Sequence, residues 1–291
     1  MAEILQKLLG ITLVIFMAGN LLEMGLKLKL DEARGALRNV NFIVQSVLWA
    51  FVLCPALAYL LTKIIPLAGP YALGLLFLGL APCAPFLPAV SQKARGDLAY
   101  VAAFMLLAVV GTVVLMPLMV PVLVKGFTAD AWTIAKPLVF FIAAPLAIGI
   151  VIRLASAPVA DKSHPIVKKV TGIDTVIMVL CIFIMYGKDF VSAIGTYAIG
   201  VQILYYVVIA VASYGLGFGL AHSQKSVLAL GVSTRNIGAA IAPLFAVANT
   251  DQRAIAMCAL AVPITVVIAL IAARVLARRA PQGKRAAAPA V

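Results

Sequence analysis

The dominant pattern along this chain is a succession of apolar runs, each about as long as a membrane-spanning helix. Runs of roughly 20 apolar residues can cross a hydrocarbon core of about 30 Å as helices. Bounded by charges, prolines and glycines, these runs predict nine spans, at residues 4–28, 39–63, 70–94, 97–124, 133–155, 166–187, 197–222, 226–249 and 253–278. We therefore expect an all-α, polytopic membrane protein with nine transmembrane helices.

Two of the nine spans carry interruptions. The third run, 70–94, contains three prolines between residues 82 and 88, and proline removes a backbone donor and clashes with the preceding turn. The eighth run, 226–249, carries a polar Ser-Thr-Arg-Asn sequence at 233–236. Interrupted helices at corresponding positions of two halves indicate a transporter binding site at the interface of inverted repeats.

The positions of the interruptions predict how the chain divides. Helices 1–4 and 6–9 form blocks of opposite orientation, each with its third member broken, and helix 5 joins them. We expect a first, four-helix repeat over residues 1–124 and a second, five-helix repeat over 125–278. Residues 279–291, rich in Ala and Pro, are predicted to be a disordered cytoplasmic tail.

Composition supports the membrane class and gives an orientation. The chain is 64% hydrophobic and 11% charged, whereas about 25% of the residues of soluble domains are charged. Its formal charge of +13 lies in short loops between the spans, so we expect no nucleic-acid partner. Sixteen of the 23 Lys and Arg residues fall on the side that holds the C-terminus and six on the other. The positive-inside rule then predicts a multi-pass protein of the inner (plasma) membrane, with the N-terminus outside and the C-terminus cytoplasmic.

Arg235 is the remaining basic residue, and it lies in the middle of the eighth span. A guanidinium at mid-bilayer depth costs roughly 2.5 to 3.5 kcal/mol on insertion scales, so it normally faces a cavity, a counter-ion or a ligand. Two carboxylates inside spans are candidates for an ion pair with it, Glu23 and Asp174. Both are also candidates for proton coupling, and a structural role at the membrane interface remains open for each.

Four motifs in this chain resemble those of the bile acid:sodium symporter family. The first span ends in Met-Gly-Leu-Lys-Leu at 24–28, similar to the Met-Gly-Leu-Thr-Leu of that family. The third has Gly-Leu-Ala-Pro at 79–82 and closes with Ala-Arg-Gly-Asp at 94–97. The eighth has Arg-Asn-Ile-Gly at 235–238, where better-known members have Gln-Asn-Ser-Gly. The resemblance covers nearly the whole chain in order and spacing.

The resemblance implies a fold of inverted five-helix repeats, here without the first helix of the first repeat. Helices 4–28, 133–155 and 166–187 would form a panel domain, and the remainder a core in which the broken third and eighth helices cross. Members of the family are mostly sodium-coupled importers of organic anions. Movement of the core against the panel gives them alternating access.

This chain departs from the family at its sodium ligands. The family has Gly-Gly-Thr-x-Ser-Asn at the third-helix break, whereas residues 83–88 here read Cys-Ala-Pro-Phe-Leu-Pro. The acidic sodium ligand of the family aligns with Gly231, and its Gln aligns with Arg235. We predict no cofactor and no metal site. Sodium stays a candidate coupling ion whose usual ligands are absent, so we do not expect sodium coupling through that architecture.

The combined pattern favours an organic-anion site. Arginine stays protonated at any relevant pH, and it can bind a carboxylate or sulfonate through two parallel hydrogen bonds. The N-terminal ends of the second half-helices would add positive dipole ends. We therefore expect a secondary active transporter of organic anions with Arg235 as a fixed anion-binding charge. The predicted substrate-binding residues are Arg235, Asn236, Thr234, Ser233, Pro85 and Pro88.

Two other functions remain open. Ala-Pro-Cys at 81–83, followed by Gly-Asp-x-x-Tyr at 96–100, also resembles the arsenite exporters of the same superfamily, with Cys83 as the thiol that a soft metalloid requires. Against this reading, those exporters have a Phe-Glu pair where this chain has Asn-Ile-Gly at 236–238. A membrane receptor that binds an anion without moving it is the second alternative. No nucleophile has an identifiable base, so we do not expect an enzyme. Substrate size, driving ion, direction and oligomeric state stay open.

Overall fold

A computed structural model of the chain describes residues 2–28, 30–124, 129–247 and 250–281. Within these ranges the regular secondary structure is helical, apart from one antiparallel β-type pair formed by Pro82 and Arg235. Seven helices in the described part of the chain are long and apolar enough to cross a membrane. The prediction of an all-α polytopic membrane protein is confirmed at this level.

The helices are numbered in chain order, and the two long helices α3 and α7 each contain one π-helical turn. Both of these wider turns, Trp49–Leu53 and Val139–Ala143, lie directly before a helical segment that has proline in its first turn, where proline provides no N–H for a regular α-turn. The bounds are α1 Ala2–Lys27, α2 Leu30–Ala36, α3 Val40–Ile64, α4 Gly69–Leu80, α5 Leu87–Lys93, α6 Leu98–Leu123, α7 Ala131–Ala155, α8 Ala157–Ser192, α9 Ala198–Gly215, α10 His222–Ser233, α11 Ile237–Ala246 and α12 Gln252–Arg279.

Two of the predicted spans have different lengths in the structure. Helix α8 begins nine residues before the predicted start at 166, because the Ser156 hydroxyl caps it by accepting from the Val159 N–H at 3.5 Å. Helix α9 ends at Gly215, before the predicted end at 222, in a segment where Gly219 adopts φ +72°. The short helix α2 was not predicted, since it is only seven residues long.

Both interruptions are present where the sequence predicted them. Helix α4 ends at Leu80 and α5 begins at Leu87, whereas α10 ends at Ser233 and α11 begins at Ile237. Asn236 caps α11, since its side-chain oxygen accepts from the Ala239 N–H at 3.1 Å. The third and eighth runs are therefore pairs of short helices, and the count of nine membrane crossings stays a prediction.

Helix α1 packs against α7 and α8 through small residues. Gly25 of α1 and Gly149 of α7 meet so closely that a Cβ on either would lie 2.9 Å from the Cα of the other. On α8, the Thr171 methyl group fills the space beside Gly19. Helices α1, α7 and α8 thus form one packed group. These are the three predicted panel helices, although the division into panel and core stays a prediction.

The broken helix α10–α11 lies at the centre of the molecule, where every residue from 226 to 244 is buried. The repeat boundary predicted between 124 and 125 falls at the edge of a stretch, 125–128, outside the described residues. Most of the predicted tail, 282–291, also lies outside them. The predicted division into two repeats and a tail therefore remains untested.

Candidate functional site

The two interrupted helices meet at their breaks and satisfy each other's backbone. The Cys83 N–H donates to the Thr234 carbonyl at 2.9 Å, and the Asn236 N–H donates to the Ala81 carbonyl at 3.0 Å. The Ala84 N–H donates to the Thr234 hydroxyl at 3.3 Å. Backbone groups freed from a helix inside a membrane need such partners. Cys83 also adopts φ +72°, a left-handed conformation that costs a non-glycine residue about 1–3 kcal/mol and is concentrated at functional sites.

Arg235 is 1% exposed and has neutral partners. Its Nη2 donates to the Tyr205 hydroxyl at 2.8 Å, and its Nη1 donates to the Gly79 carbonyl at 3.4 Å. The guanidinium carbon lies 5.2 Å from the centre of the Tyr205 ring, within the range of a cation–π contact. Its Nε has no hydrogen-bond partner among the described residues. The fixed charge is therefore held by dipoles and a ring face.

Neither of the two candidate counter-ions contacts Arg235. Glu23 lies beside His164 and Thr171 between α1 and α8, and one carboxyl oxygen of Asp174, Oδ2, has no hydrogen-bond partner within the described ranges. In the same part of the chain, the ion pairs of arginine join Arg153 to Asp161 and Arg253 to Asp251. Arg235 is thus a buried cation without a carboxylate partner in the described structure.

A small space lies at the paired breaks, on the side that faces α1. It has a volume of about 10 Å³, which is enough for about one water molecule. Pro82, Pro85 and Asn236 line it from the breaks, and Asn20 and Met24 line it from α1. Arg235 is not among its lining residues, because the guanidinium extends towards α4 and α9 instead.

A larger cavity of about 610 Å³ continues from this space along α1. The two share Asn20, Met24, Pro85 and Met105 as lining residues, so they adjoin. Towards the predicted cytoplasmic end, the cavity is lined by charged groups of α1 and α8, namely Glu23, Lys27 and Lys168.

The six predicted substrate-binding residues all lie at or near the paired breaks, but they divide into two groups. Pro85 and Asn236 line the small space, and Pro85 and Pro88 line the larger cavity. The hydroxyls of Ser233 and Thr234 instead donate to the Leu230 carbonyl of their own helix, at 3.4 and 2.8 Å. The residues that line neither space are Ser233, Thr234 and Arg235. Whether any of the six binds substrate stays a prediction.

Gly231, which was predicted to align with the acidic ligand of the family, has no room for a side chain. A Cβ there would lie 2.5 Å from Cε1 of Phe104. Phe104 belongs to α6 and is 1% exposed, so the ring cannot swing into solvent. The space that a carboxylate would need is occupied by an aromatic ring, and Arg235 supplies the nearby charge. Sodium prefers oxygen ligands, as hard cations do, and neither the Phe104 ring nor the Arg235 guanidinium provides one.

A polar cluster between α1 and α8 was only partly predicted. Glu23 Oε1 lies 3.4 Å from His164 Nε2, without hydrogen-bond geometry. The Thr171 hydroxyl lies 3.4 Å from Glu23 Oε2. Asp174 follows one turn later and is 6% exposed. His164 and Thr171 were missed, although the spacing of 7 and 10 residues from His164 places Thr171 and Asp174 on one face of α8.

Comparison with known proteins yields one family and one relative. Residues 12–193 match the sequence profile of the Sodium Bile acid symporter family. The probable sodium/metabolite cotransporter BASS1, chloroplastic, of Arabidopsis thaliana is 31% identical over 112 residues, which cover 38% of this chain and 28% of that protein. The chain therefore spans less than a third of the length of this relative. The family match includes the first break and the cluster on α8, and it ends before the second break.

Proposed function

Because the chain belongs to the sodium bile acid symporter family, whose members are transporters and not enzymes, we propose that it is a secondary active transporter of organic anions. The transported group is a carboxylate or a sulfonate, and transport proceeds by alternating access. The name of the Arabidopsis relative, a sodium/metabolite cotransporter, supports solute transport in general. The more specific part of this proposal is that the substrate is an anion.

The main support for an anionic substrate is the buried charge of Arg235, which has no carboxylate partner in the described residues. A guanidinium inside a membrane is costly unless its charge is balanced, and it stays charged at any relevant pH. An anion in the small space at the breaks would lie on the other side of the Pro82–Arg235 backbone pair. At low dielectric such a charge attracts over several ångströms without direct contact.

Asn236 is the side chain best placed to bind the anion directly. It lines the small space, and its Oδ1 already accepts from the Ala239 N–H at 3.1 Å. The Nδ2 amide group therefore provides donors for a carboxylate or sulfonate. It also stands at the N-terminus of α11, where the helix dipole favours negative charge. Asn236 and Arg235 thus act on the same anion, one by contact and the other by charge.

The packing of the helices supports the proposal of alternating access. We assign α1, α7 and α8 to a panel and the helices around the paired breaks to a core, with the third and eighth runs counted as two further crossings. The small space lies between these groups, since α1 lines one side and the breaks line the other. Displacement of the core against α1 would widen it to admit a substrate. Lys27, an exposed residue at the predicted cytoplasmic end of α1, lines the larger cavity, and we propose that this conformation faces the cytoplasm.

Sodium coupling does not form part of this proposal. The place that aligns with the acidic sodium ligand is filled by the Phe104 ring beside Gly231. Arg235 already carries one positive charge at the breaks, and a second cation there would be repelled. We propose that the covalently attached guanidinium does the electrostatic work of a bound cation. Transport by this chain then proceeds without sodium at that site.

The test combines binding and counterflow in proteoliposomes, with cholate, benzoate and benzenesulfonate as probes. Wild-type protein should be stabilised by at least one probe and should exchange it across the membrane, equally in sodium and in choline buffers. The variant Arg235→Gln should lose affinity at least about tenfold, the equivalent of about 1.4 kcal/mol. Arg253→Gln, which changes a half-exposed arginine, serves as the matched control.

A folding control separates loss of binding from loss of structure. Each variant is compared by size-exclusion profile and thermal unfolding, and Arg235→Lys tests whether charge alone suffices. A folded Arg235→Gln protein with unchanged probe affinity would exclude the role proposed for Arg235. Exchange that requires sodium in the wild type would exclude the sodium-independent mechanism.

The two alternative functions, an arsenite exporter and an anion receptor, would use the same site. The same proteoliposome assays distinguish them from the proposed function. The Cys83 residue lines the small space, so its thiol is placed to meet a metalloid. Arsenite flux that is abolished in Cys83→Ser would favour the exporter. Binding of an anion without any counterflow would favour a receptor.

A further inference from the structure

A line of polar groups runs between α1 and α8, away from the paired breaks. At one end, the Glu23 carboxylate lies 3.4 Å from His164 Nε2 and 3.4 Å from the Thr171 hydroxyl. Glu23 is partly exposed, at 23% of its side-chain area, and it lines the cavity of about 610 Å³. Water in that cavity can therefore reach Glu23 directly.

Asp174 forms the deep end of this line. It follows Thr171 by one turn of α8, about 4.5 Å along the helix axis, and only 6% of its surface is exposed. Its Oδ2 atom has no hydrogen-bond partner in the part of the chain that the structure describes. An ionised carboxylate is costly in such a place, and buried carboxyl groups of this kind bind a proton instead.

Thr171 lies between the two carboxyl groups along α8, in contact with Glu23 and one turn before Asp174. Its hydroxyl can donate one hydrogen bond and accept two, and it already lies within reach of Glu23 and of the Val167 carbonyl, at 3.0 Å. The Thr171 methyl group is held against Gly19 of α1, so the side chain keeps its place between the helices.

Two arginines of the neighbouring helices form ion pairs that do not involve Asp174. Arg153 of α7 donates to the Leu26 carbonyl at 2.6 Å and pairs with Asp161 at 2.7 Å. Arg253 of α12 pairs with Asp251. No ion pair to Asp174 occurs within the described residues. The other described side chains of these elements that titrate or carry charge are Lys7, Glu23 and Lys27 on α1, Lys136 on α7, Asp161, Lys162, His164, Lys168, Lys169, Cys181, Tyr186, Lys188 and Asp189 on α8, and Cys258, Arg274, Arg278 and Arg279 on α12.

We infer that Asp174 is the proton-binding site that couples this transporter to a proton gradient, with Glu23 and Thr171 as its connection to the cavity. The inference rests on the proposed transport of organic anions. One proton binds to an Asp174 oxygen on the side from which the anion enters, and the same O–H bond breaks on the side where the anion leaves. One anion and one proton cross together, so no net charge is moved.

Electrostatic coupling links the two ions. Asn20, which lines both spaces, precedes Glu23 by one turn on the helix that packs against α8. An ionised Asp174 repels an anion in the space at the breaks, and protonation removes that repulsion. By linkage, the anion must raise the affinity for the proton to the same extent as the proton raises the affinity for the anion.

The first test needs no substrate. Infrared difference spectra of the protein in lipid are recorded between about pH 5 and about pH 8, the range in which a useful proton site must titrate. We expect the carbonyl stretch of a protonated carboxylic acid to appear towards low pH in the wild type and in Asp189→Asn, a control on the other end of α8. The band should be absent in Asp174→Asn. A band that persists in Asp174→Asn, or that does not titrate in the wild type, would overturn the inference.

The second test separates coupling from transport. Cholate counterflow is first measured in proteoliposomes without a pH gradient. Cholate accumulation is then measured with a pH gradient that is acidic on the side from which cholate enters. One coupled proton should give up to about tenfold accumulation per pH unit, because one unit corresponds to about 1.4 kcal/mol. Asp174→Asn should keep counterflow and lose gradient-driven accumulation. Thr171→Val should slow the accumulation and leave counterflow unchanged.

The outcomes distinguish this inference from the proposed function. If the wild type accumulates cholate and Asp174→Asn accumulates it to the same ratio, Asp174 is not the coupling site. If the wild type shows no counterflow of any probe anion, the proposed function fails, and the infrared titration alone then decides whether Asp174 is a proton site.

Discussion

The guanidinium of Arg235 donates to the hydroxyl of Tyr205 at 2.8 Å, and the same tyrosine presents its ring to the charge at 5.2 Å. Tyr205 in turn donates to the Cys54 carbonyl at 3.3 Å. One side chain of α9 therefore fixes the orientation of the buried cation and ties it to α3. This relationship makes Tyr205 the main determinant of where the positive charge lies.

Replacing Tyr205 by Phe should lower stability while the ring contact is retained. A hydrogen bond to a charged group contributes about 1.5–3 kcal/mol, and the bond from Arg235 to the Gly79 carbonyl is longer, at 3.4 Å. We expect Tyr205→Phe to lower the midpoint of thermal unfolding in detergent by several degrees. Probe affinity should fall as well, because the guanidinium is no longer held in one place.

The neighbouring tyrosine provides a matched control for this measurement. Tyr206 is equally buried, but its hydroxyl has no hydrogen-bond partner within the described ranges. Tyr206→Phe removes an unpartnered polar group and should leave stability unchanged or slightly raised. Equal destabilisation by the two substitutions would show that the Arg235 contact is not the cause.

The glycine contact between α1 and α7 predicts a second effect on stability. A Cβ at Gly25 would lie 2.5 Å from the Leu146 carbonyl oxygen and 2.9 Å from the Gly149 Cα. These are backbone atoms, so the two helices must separate. Gly25→Ala should therefore destabilise the protein. Gly10→Ala, on the same helix with no atom within 4 Å of its Cβ, should be neutral or stabilising by up to about 1 kcal/mol. If the unfolding curves of Gly25→Ala and Gly10→Ala coincide, the close contact at Gly25 is contradicted.

Acid stability gives a third prediction at the start of α12. Asp251 caps this helix, and the hydrogen bond from Arg253 holds the pKa of its carboxyl below the ordinary value. A carboxyl with a lowered folded-state pKa adds stability above its unfolded pKa of about 3.9, and the contribution is lost as the pH falls through the folded pKa. Wild-type protein should therefore be more stable than Asp251→Asn at about pH 6, and the difference should vanish in acid.

The effect should be small, because Asp251 and Arg253 are both more than a third exposed and water screens them. Arg253→Gln removes the same pair from the other side and should show the same weakened pH dependence. Parallel profiles of unfolding midpoint against pH for the wild type and Asp251→Asn would contradict the assignment.

Much of this fold could be predicted from local sequence signals. Runs of apolar residues predicted the seven long helices, and three prolines between 82 and 88 predicted the first break, because proline acts on its own turn. The family resemblance, which rested on motifs of four or five residues, is confirmed by the match over 12–193. Helix ends were less predictable, since the cap at Ser156 depends on one hydroxyl that also occurs in loops.

The position of the candidate site could be predicted from the sequence, but the direction in which its side chains extend could not. A charge in the middle of a span marks Arg235, yet which way its side chain extends depends on Tyr205 and Gly79, distant in sequence and near only after folding. The same limit applies to Thr171, whose contact with Glu23 joins residues 148 positions apart. The sequence did indicate Thr171, because helical spacing places it on the same face of α8 as His164 and Asp174.

The contact between Gly231 and Phe104 gives the last prediction, a double-mutant cycle. A Cβ at Gly231 meets the Phe104 ring at 2.5 Å, so Gly231→Ala alone should destabilise by about 1–3 kcal/mol through overpacking. Phe104→Leu alone removes ring atoms and should also destabilise, by the cavity it leaves. In the double variant the smaller side chain makes room for the methyl group, and the two losses should not add. Thermal or denaturant unfolding of the four proteins measures the interaction energy, which we expect to be at least about 0.5 kcal/mol in the compensating direction. Additive losses would mean that the Phe104 ring is not what excludes a side chain at Gly231.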